Sequence, residues 1–390
     1  MKRAILPISA DPITNGHLEL IHLGLEIFDE LVIALLVNNT KDQLFSLEEK
    51  REILEKVISY SPSLSKPLEQ KKIHIVSHKG LLIELSTAWE TRFVIRGIRD
   101  SKDLDYENML KQTYQDQLWK NEEPLRFVYL RTNSKISSIS STIVKSVCRQ
   151  YGNISRFVPL FVKQKMEKKM FGQKKIIVTG GIASGKTTCS KILAENLKKY
   201  DKVTLIDFDQ IVGDIYEKME HGEYPVLTKH LKDLLPGGEK VKKQDIAHFI
   251  ESINKYDALV FLQKLQIILG PYIRNHFLKE LNDKSGFILL DMPMAVAYEA
   301  LSEASNFVVF TEVERETQLE RLVKRNNYKR QEAEKRIMFA GENDEKKEAI
   351  QKEIERCNYG QFFSLKSDGK GGFVGADTLA DKINKHFQDL

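Results

Sequence analysis

Long apolar runs are missing from this chain. The longest, Leu31–Val37, has seven residues, whereas a membrane-spanning helix needs about 20, so no such helix is expected. Cysteine is scarce. Cys148, Cys189 and Cys357 are far apart and odd in number, which makes neither a disulfide framework nor a zinc-binding spacing and points to a reducing, cytoplasmic setting. A secretory leader is not expected, because Pro7 and Asp11 interrupt the short apolar stretch after Met1-Lys2-Arg3 before a signal core could form. Charge of one sign is lacking too. The 60 Lys plus Arg nearly balance 55 Asp plus Glu, leaving +5. A nucleic-acid binder would show a concentrated basic face; the small excess suits small phosphorylated substrates instead.

What the chain does have is length and alternation. Its 390 residues suggest two domains at roughly 100–200 residues each. Apolar strand-like runs at 2–8, 31–37, 73–77, 92–96 and 125–130 alternate with helical patterns, and the alternation restarts at Lys175–Thr179 and continues through 203–206, 287–290 and 307–310. Strands separated by helices predict an α/β fold, with parallel sheets covered on both faces. The Lys-rich stretch around Gly172 reads as a helix running into a linker, which gives a first domain at 1–163, a linker at 164–173 and a second domain at 174–390. The segments 214–281 and 314–356 read as largely helical.

The first chemical constellation is Asp11-Pro12-Ile13-Thr14-Asn15-Gly16-His17. A strand ends near Ile8 and a helix opens at Thr14, so unpaired N–H groups with partial positive charge collect there and favour an anion. His17 lies in the first turn and can aim a ring N–H at that anion, and Ser9 supplies a hydroxyl at the strand end. Arg96-Gly97-Ile98-Arg99 ends another strand before an acidic helix; its arginines can grip phosphates bidentately or pair with that helix. The run Ser137-Ser138-Ile139-Ser140-Ser141-Thr142 opens a further helix, either as a second phosphate cradle or as a simple N-cap.

The second constellation is Gly180-Gly181-Ile182-Ala183-Ser184-Gly185-Lys186-Thr187, between a strand and a helix. This is a phosphate-binding P-loop: the loop N–H groups wrap a phosphate, the lysine reaches the β/γ-phosphates and the Thr187 hydroxyl meets Mg²⁺. Asp207 and Asp209 end the next strand and Asp291 ends a later one. Carboxylates there face the crevice of an open α/β sheet, where one can hold metal and another accept the proton of an attacking hydroxyl. Arg321 and Arg325, four apart on a charged helix, share a face and suit a lid over ATP.

Residues 1–163 resemble bacterial phosphopantetheine adenylyltransferase, in the motifs above together with Lys41 and Leu44-Phe45-Ser46-Leu47-Glu48-Glu49. The resemblance implies a Rossmann-like nucleotidyltransferase domain that joins 4′-phosphopantetheine to the adenylyl group of ATP. It assigns Ser9, Ala10, His17, Gly97, Ile98, Arg99, Glu107 and Ile136-Ser137-Ser138-Ile139-Ser140-Ser141-Thr142 to ATP. It assigns Ser9, Lys41, Leu82 and Arg96 to phosphopantetheine, with His17, Lys41 and Arg96 as the charge-stabilising groups. Ile8-Ser9-Ala10 stands where the family has Gly-Thr/Ser-Phe. Related adenylyltransferases are commonly hexamers, so a homo-oligomer built through this half is implied.

Residues 174–390 resemble dephospho-coenzyme A kinase, a P-loop kinase, through the P-loop, the two aspartate-bearing strand ends, Leu265 to Pro271 and Gln318-Leu319-Glu320-Arg321. The resemblance implies ATP at Gly181, Ala183, Ser184, Gly185, Lys186, Thr187, Thr188, Arg321 and Arg325, Mg²⁺ at Thr187, Asp207 and Asp291, and Asp209 as the base on the ribose 3′-hydroxyl. Departures fall on the acceptor side, at Gly213, Gly270, Ala297 and Ala340. The combined expectation is an enzyme for the last two steps of coenzyme A synthesis that uses ATP and Mg²⁺, with no nucleic acid or membrane partner. Two alternatives stand beside it: an active adenylyltransferase with a degenerate, nucleotide-binding regulatory kinase half, and a nicotinamide mononucleotide adenylyltransferase fused to a ribosylnicotinamide kinase.

Overall fold

A computed structural model describes residues 2–36, 42–98, 101–118, 123–132, 140–235, 242–293, 304–305, 307–326, 329–341 and 343–390. The chain forms two compact units, one of residues 1–170 with 357–359, the other of 171–356 with 360–390. The stretch 164–173 is taken up by the end of the helix Leu160–Phe171 and the start of a strand at Gln173.

The first unit is built on β1 (Arg3–Ile8), β2 (Glu30–Leu36), β3 (Ile73–His78), β4 (Phe93–Ile98) and β5 (Arg126–Arg131). They form one parallel sheet in the order β3-β2-β1-β4-β5. Leu31, Val32, Ile33, Ala34 and Leu35 are all fully buried, as a strand covered on both faces requires. Because the order reverses between β1 and β4, a crevice opens at their carboxyl ends, the place where such sheets bind ligands. Gly97 in β4 lets the helix Asn15–Ile27 sit close, since a Cβ there would lie 2.6 Å from Leu20 Cδ1. The helix Leu47–Tyr60 opens with the expected capping box, Ser46 with Glu49.

The second unit has β6 (Gln173–Gly180), β7 (Val203–Asp207), β8 (Gly286–Asp291), β9 (Phe307–Glu312) and β10 (Gln361–Lys366) in a parallel sheet ordered β10-β9-β6-β8-β7. Ile176, Ile177 and Val178 of central β6 are fully buried, each contributing about 1.5–3 kcal/mol. The helices Phe208–Glu220, Pro225–Leu234, Lys243–Ser252 and Lys255–Leu281 fill the stretch read as helical. Edge strand β10 and the helix Ala376–Asp389 were not foreseen from the sequence. Ala376, Leu379, Ala380, Ile383 and Phe387 form the buried stripe of that helix, which packs on Lys186–Leu197.

Candidate functional sites: two phosphate-binding crevices

At the end of β1 the chain turns through Ser9, which is exposed, and Ala10, which is buried with φ 47°. The next helix starts after Thr14. The Thr14 N–H donates to His17 Nδ1 at 2.9 Å. A ring nitrogen that accepts a hydrogen bond carries no proton in the neutral imidazole, so the proton lies on Nε2, the nitrogen a phosphate oxygen needs. His17 is therefore the third residue of a helix cap and also an oriented donor, which unites the structural and the functional readings of Thr14-Asn15-Gly16-His17.

Arg96 lies near the end of β4. Its Nε and Nη2 donate to the two oxygens of Glu107, both at 2.5 Å. One fork of the guanidinium is spent on this carboxylate, which, among the described residues, leaves Nη1 and the second Nη2 proton for a ligand. The acidic-helix pairing considered from the sequence is thus realised, and Glu107 holds Arg96 near the end of β4. Tyr129 on neighbouring β5 has its hydroxyl pKa raised, first by burial and then by the Glu107 charge.

Leu82 is buried in the core with Ile5, Val32, Ala34, Leu85, Val94 and Leu125, so only its backbone, in the first turn of Leu82–Ala88, is suited to touch a ligand. Gly97 and Ile98 close β4, half-buried. Ser140 caps the helix Ser141–Arg149, its Oγ accepting from the Ile143 N–H at 3.2 Å. Ser141 Oγ donates to the Pro12 carbonyl at 2.8 Å, which ties that helix to the β1 turn, and Thr142 is exposed. Lys41, Arg99, Ile136, Ser137, Ser138 and Ile139 lie outside the described residues.

In the second unit the P-loop runs from the end of β6 into the helix Lys186–Leu197. Ala183 and Gly185 take left-handed φ of 53° and 88°. The loop is buttressed from behind. Ser184 Oγ meets Thr311 Oγ1 at 2.6 Å, Gln318 Nε2 donates to the Ile182 carbonyl at 2.9 Å and Arg321 Nη1 donates to the Ala183 carbonyl at 3.2 Å. The Ser184 side chain, fully buried, therefore faces the sheet and supports the loop. Arg321, which the sequence suggested as a lid, is anchored to the loop backbone and to Ser367 Oγ at 3.1 Å; for Arg325 no side chain is described. Gly181 lies close to Asn343 and Gln318. Lys186 Nζ lies 3.5 Å from the Gly181 carbonyl, and Thr187 and Thr188 are exposed.

The carboxylates gather at the carboxyl ends of β7 and β8, where Asp207 and Asp291 are register partners. Asp207 caps the helix Phe208–Glu220, accepting from the Asp209 N–H at 2.8 Å and the Gln210 N–H at 3.3 Å. Asp209 is exposed in the first turn. Asp291 is buried, and among the described residues its Oδ2 has no hydrogen-bond partner. Burial raises its carboxyl pKa, opposed by the Thr187 hydroxyl and the Lys186 charge and reinforced by Asp207 and Asp209. An orphaned buried carboxylate oxygen beside a threonine hydroxyl fits a hard divalent cation. Among the described residues no group of three or more His, Cys, Asp or Glu can hold a metal alone. A cation here would take its other ligands from phosphate and water, as magnesium does at nucleotide sites.

Beside the loop, a cleft of 410 Å³ is lined by Thr188, Arg321, Lys324, Gly371 and Phe373. An aromatic ring and a guanidinium together suit the flat face of a base. Phe373 lies in the segment after β10, which the sequence reading left unassigned; the closely spaced Gly369, Gly371, Gly372 and Gly375 were the available signal for a tight loop there.

Fold and sites define a two-unit nucleotide-using transferase, with a nucleotidyltransferase-type crevice first and a P-loop phosphotransferase second. Residues 7–147 match the cytidylyltransferase-like family model and residues 175–357 the model for dephospho-CoA kinase. A phosphopantetheine adenylyltransferase of Lachnoclostridium phytofermentans is 35% identical over 174 residues, 45% of this chain and 99% of the relative. One from Flavobacterium johnsoniae is 36% identical over 165 residues, 42% of this chain and 99% of the relative. A solved dephospho-CoA kinase from Campylobacter jejuni superposes with a TM-score of 0.28 at 18% identity, covering 56% of this chain and 97% of that one. Through its N-terminal half the chain belongs to the phosphopantetheine adenylyltransferase family, and its C-terminal half is a dephospho-CoA kinase domain.

Proposed function

We propose that this chain performs the last two steps of coenzyme A synthesis. In the first unit a phosphate oxygen of 4′-phosphopantetheine attacks the α-phosphorus of ATP, the bond to pyrophosphate breaks, and dephospho-coenzyme A forms. No side-chain nucleophile or base is required. The protein aligns two anions and offsets the charge of the transition state. His17, with its proton on Nε2, donates to the phosphate oxygens. Arg96, held by Glu107, presents its remaining N–H groups, and Lys41 adds charge.

In the second unit the ribose 3′-hydroxyl of dephospho-coenzyme A attacks the γ-phosphorus of a second ATP. Asp209 takes the hydroxyl proton and ADP leaves. The loop N–H groups and Lys186 hold the phosphates, and Phe373 with Arg321 holds the base. Mg²⁺ bound by Thr187 and Asp291, with Asp207 beside it, would supply charge neutralisation at the phosphates. Joining the halves raises the local concentration of the shared intermediate.

The observation that carries this reading is the oriented His17 donor at the reversal point of a parallel sheet, in the same chain as a complete P-loop. The test supplies 4′-phosphopantetheine, ATP and Mg²⁺ and follows pyrophosphate and coenzyme A. His17→Ala is expected to abolish pyrophosphate release. Lys186→Ala is expected to stop the reaction at dephospho-coenzyme A. Full activity in both variants would refute the assignment, and accumulation of dephospho-coenzyme A by the unmodified protein would refute the kinase half.

A further inference from the structure

Asp11 and Lys145 form an ion pair of 2.7 Å whose side chains are only 8% and 10% exposed. A buried pair of this kind is weak evidence of a stabilising role, because apolar residues of similar size often do as well. What distinguishes this pair is what it joins. The Asp11 carboxylate also accepts the N–H groups of Leu44, at 3.1 Å, and of Phe45, at 3.0 Å. Lys145 spends a second proton on the Asp42 carbonyl at 2.8 Å. Two side chains therefore bind three separate segments: the turn after β1, which carries Ser9 and His17; residues 42–45, next in sequence to Lys41; and the helix Ser141–Arg149, whose start carries Ser140 to Thr142.

The surroundings reinforce the joint. Phe45 is fully buried. Lys50, buried as well, donates to Gln43 Oε1 at 3.0 Å, and Asp11 and Lys145 both influence its charge. Asp11 thus serves two lysines, Lys145 in direct contact and Lys50 through its charge. Ser141 adds its bond to the Pro12 carbonyl. Burial opposes ionisation of Asp11, but the Lys145 bond and the two backbone N–H groups outweigh it and leave the carboxyl pKa lowered.

We propose that Asp11 and Lys145 are the positioning residues of the adenylyl-transfer site, locking its three phosphate-binding segments into one arrangement so that the two anions meet in line. This rests on the adenylyltransferase reading above. Neither side chain need touch a substrate; each acts through Ser9, His17 and the segment beyond Lys41. A displacement of about 1 Å in such a site is enough for a 100-fold rate loss.

The experiment uses the full chain, with the kinase reaction as an internal control. Pyrophosphate release from ATP and 4′-phosphopantetheine is measured for Lys145→Met, Lys145→Arg and Asp11→Asn, and phosphorylation of added dephospho-coenzyme A is measured on the same preparations. Lys145→Met is expected to lower adenylyl-transfer kcat about 100-fold, with KM for both substrates changed much less and kinase turnover unchanged. Lys145→Arg should recover at least about tenfold of that loss. Asp11→Asn can keep Oδ1 on the Leu44 and Phe45 N–H groups but puts an amide donor where Oδ2 meets Lys145 Nζ, so it removes the ion pair while the backbone bonds remain and gives a second readout if Lys145→Met fails to fold; about a tenfold or greater fall in kcat is expected. Unchanged kcat in folded Asp11→Asn, with a lowered melting temperature, would overturn the proposal and leave the pair purely structural. An unmodified protein that makes no pyrophosphate at all would overturn the adenylyltransferase reading instead, so the two failures are distinct.

Discussion

Replacing Glu107 by Gln will uncouple Arg96 from its support, and the size of the effect follows from the geometry. Two charge-assisted hydrogen bonds of 2.5 Å join the pair, and the side chains are 20% and 9% exposed. Breaking a fully buried pair costs about 3–5 kcal/mol, whereas an exposed pair is worth about 0.2–1 kcal/mol. At this intermediate burial, a coupling of about 2 kcal/mol is expected, roughly a 30-fold change in the unfolding equilibrium. The measurement is a double-mutant cycle of Glu107→Gln, Arg96→Met and the combined variant in denaturant. Both tryptophans of the chain, Trp89 and Trp119, lie in the first half, so tryptophan emission reports that unit without interference from the kinase. The KM for 4′-phosphopantetheine should rise in Glu107→Gln, because a wandering guanidinium loses its aim at the substrate phosphate. A coupling below about 0.5 kcal/mol with an unchanged KM would refute the argument that Glu107 holds Arg96 for binding.

Gly180→Ala should abolish kinase turnover and destabilise the second unit by about 1–3 kcal/mol, because the new Cβ would lie 2.7 Å from the Thr311 carbonyl and closer still to its hydroxyl; pyrophosphate release by the first unit should be untouched. Cys189, whose thiol pKa is pushed up to about 12 by burial and by Asp291, should resist iodoacetamide in the native protein and react once the chain is unfolded, as mass spectrometry would show. The Asp291 carboxyl is raised above 3.8, first by burial, so ionising it costs folding stability as pH rises through its folded value. A cation bound there favours the ionised form, so nucleotide binding with Mg²⁺ should release more protons at mildly acid than at alkaline pH. Calorimetry in buffers of different ionisation enthalpy would show this, and Asp291→Asn should shrink the difference to the share that the nucleotide phosphates contribute.

Strand positions, the parallel α/β class and the strand-to-helix turns that carry the crevices were legible because they rest on period and spacing: the apolar run at Leu31 to Leu35 and the glycines of the P-loop allow few other structures; the order of the strands within each sheet was not read from the sequence. His17 was legible as a donor at a helix start. Its tautomer was not, since that depends on Thr14 N–H geometry. The partner of Arg96 was visible only as one option among several acidic residues on the following helix. Lys145 carried no signal, because a lysine on a polar helix reads as solvated, and only a contact 134 positions away in sequence makes it buried. Phe373 was missed for a related reason: β10 is a short, half-exposed edge strand whose value lies in delivering the loop behind it to a cleft formed by distant segments. Ser184 and Arg321 were found as P-loop companions, but whether each faces the ligand or the loop depends on Thr311 and Ser367, which motif spacing does not reveal.

The first unit includes three residues, Cys357 to Tyr359, that follow its main body by about 190 positions. Tyr359 packs against Tyr60 and Phe161 and donates its hydroxyl to Gln164 at 3.1 Å. At about 5–20 residues per second on the ribosome, the nascent adenylyltransferase would wait roughly 10–40 s for this last piece, its aromatic notch wet in the meantime. A stop codon placed between the two genetic halves would make that wait permanent.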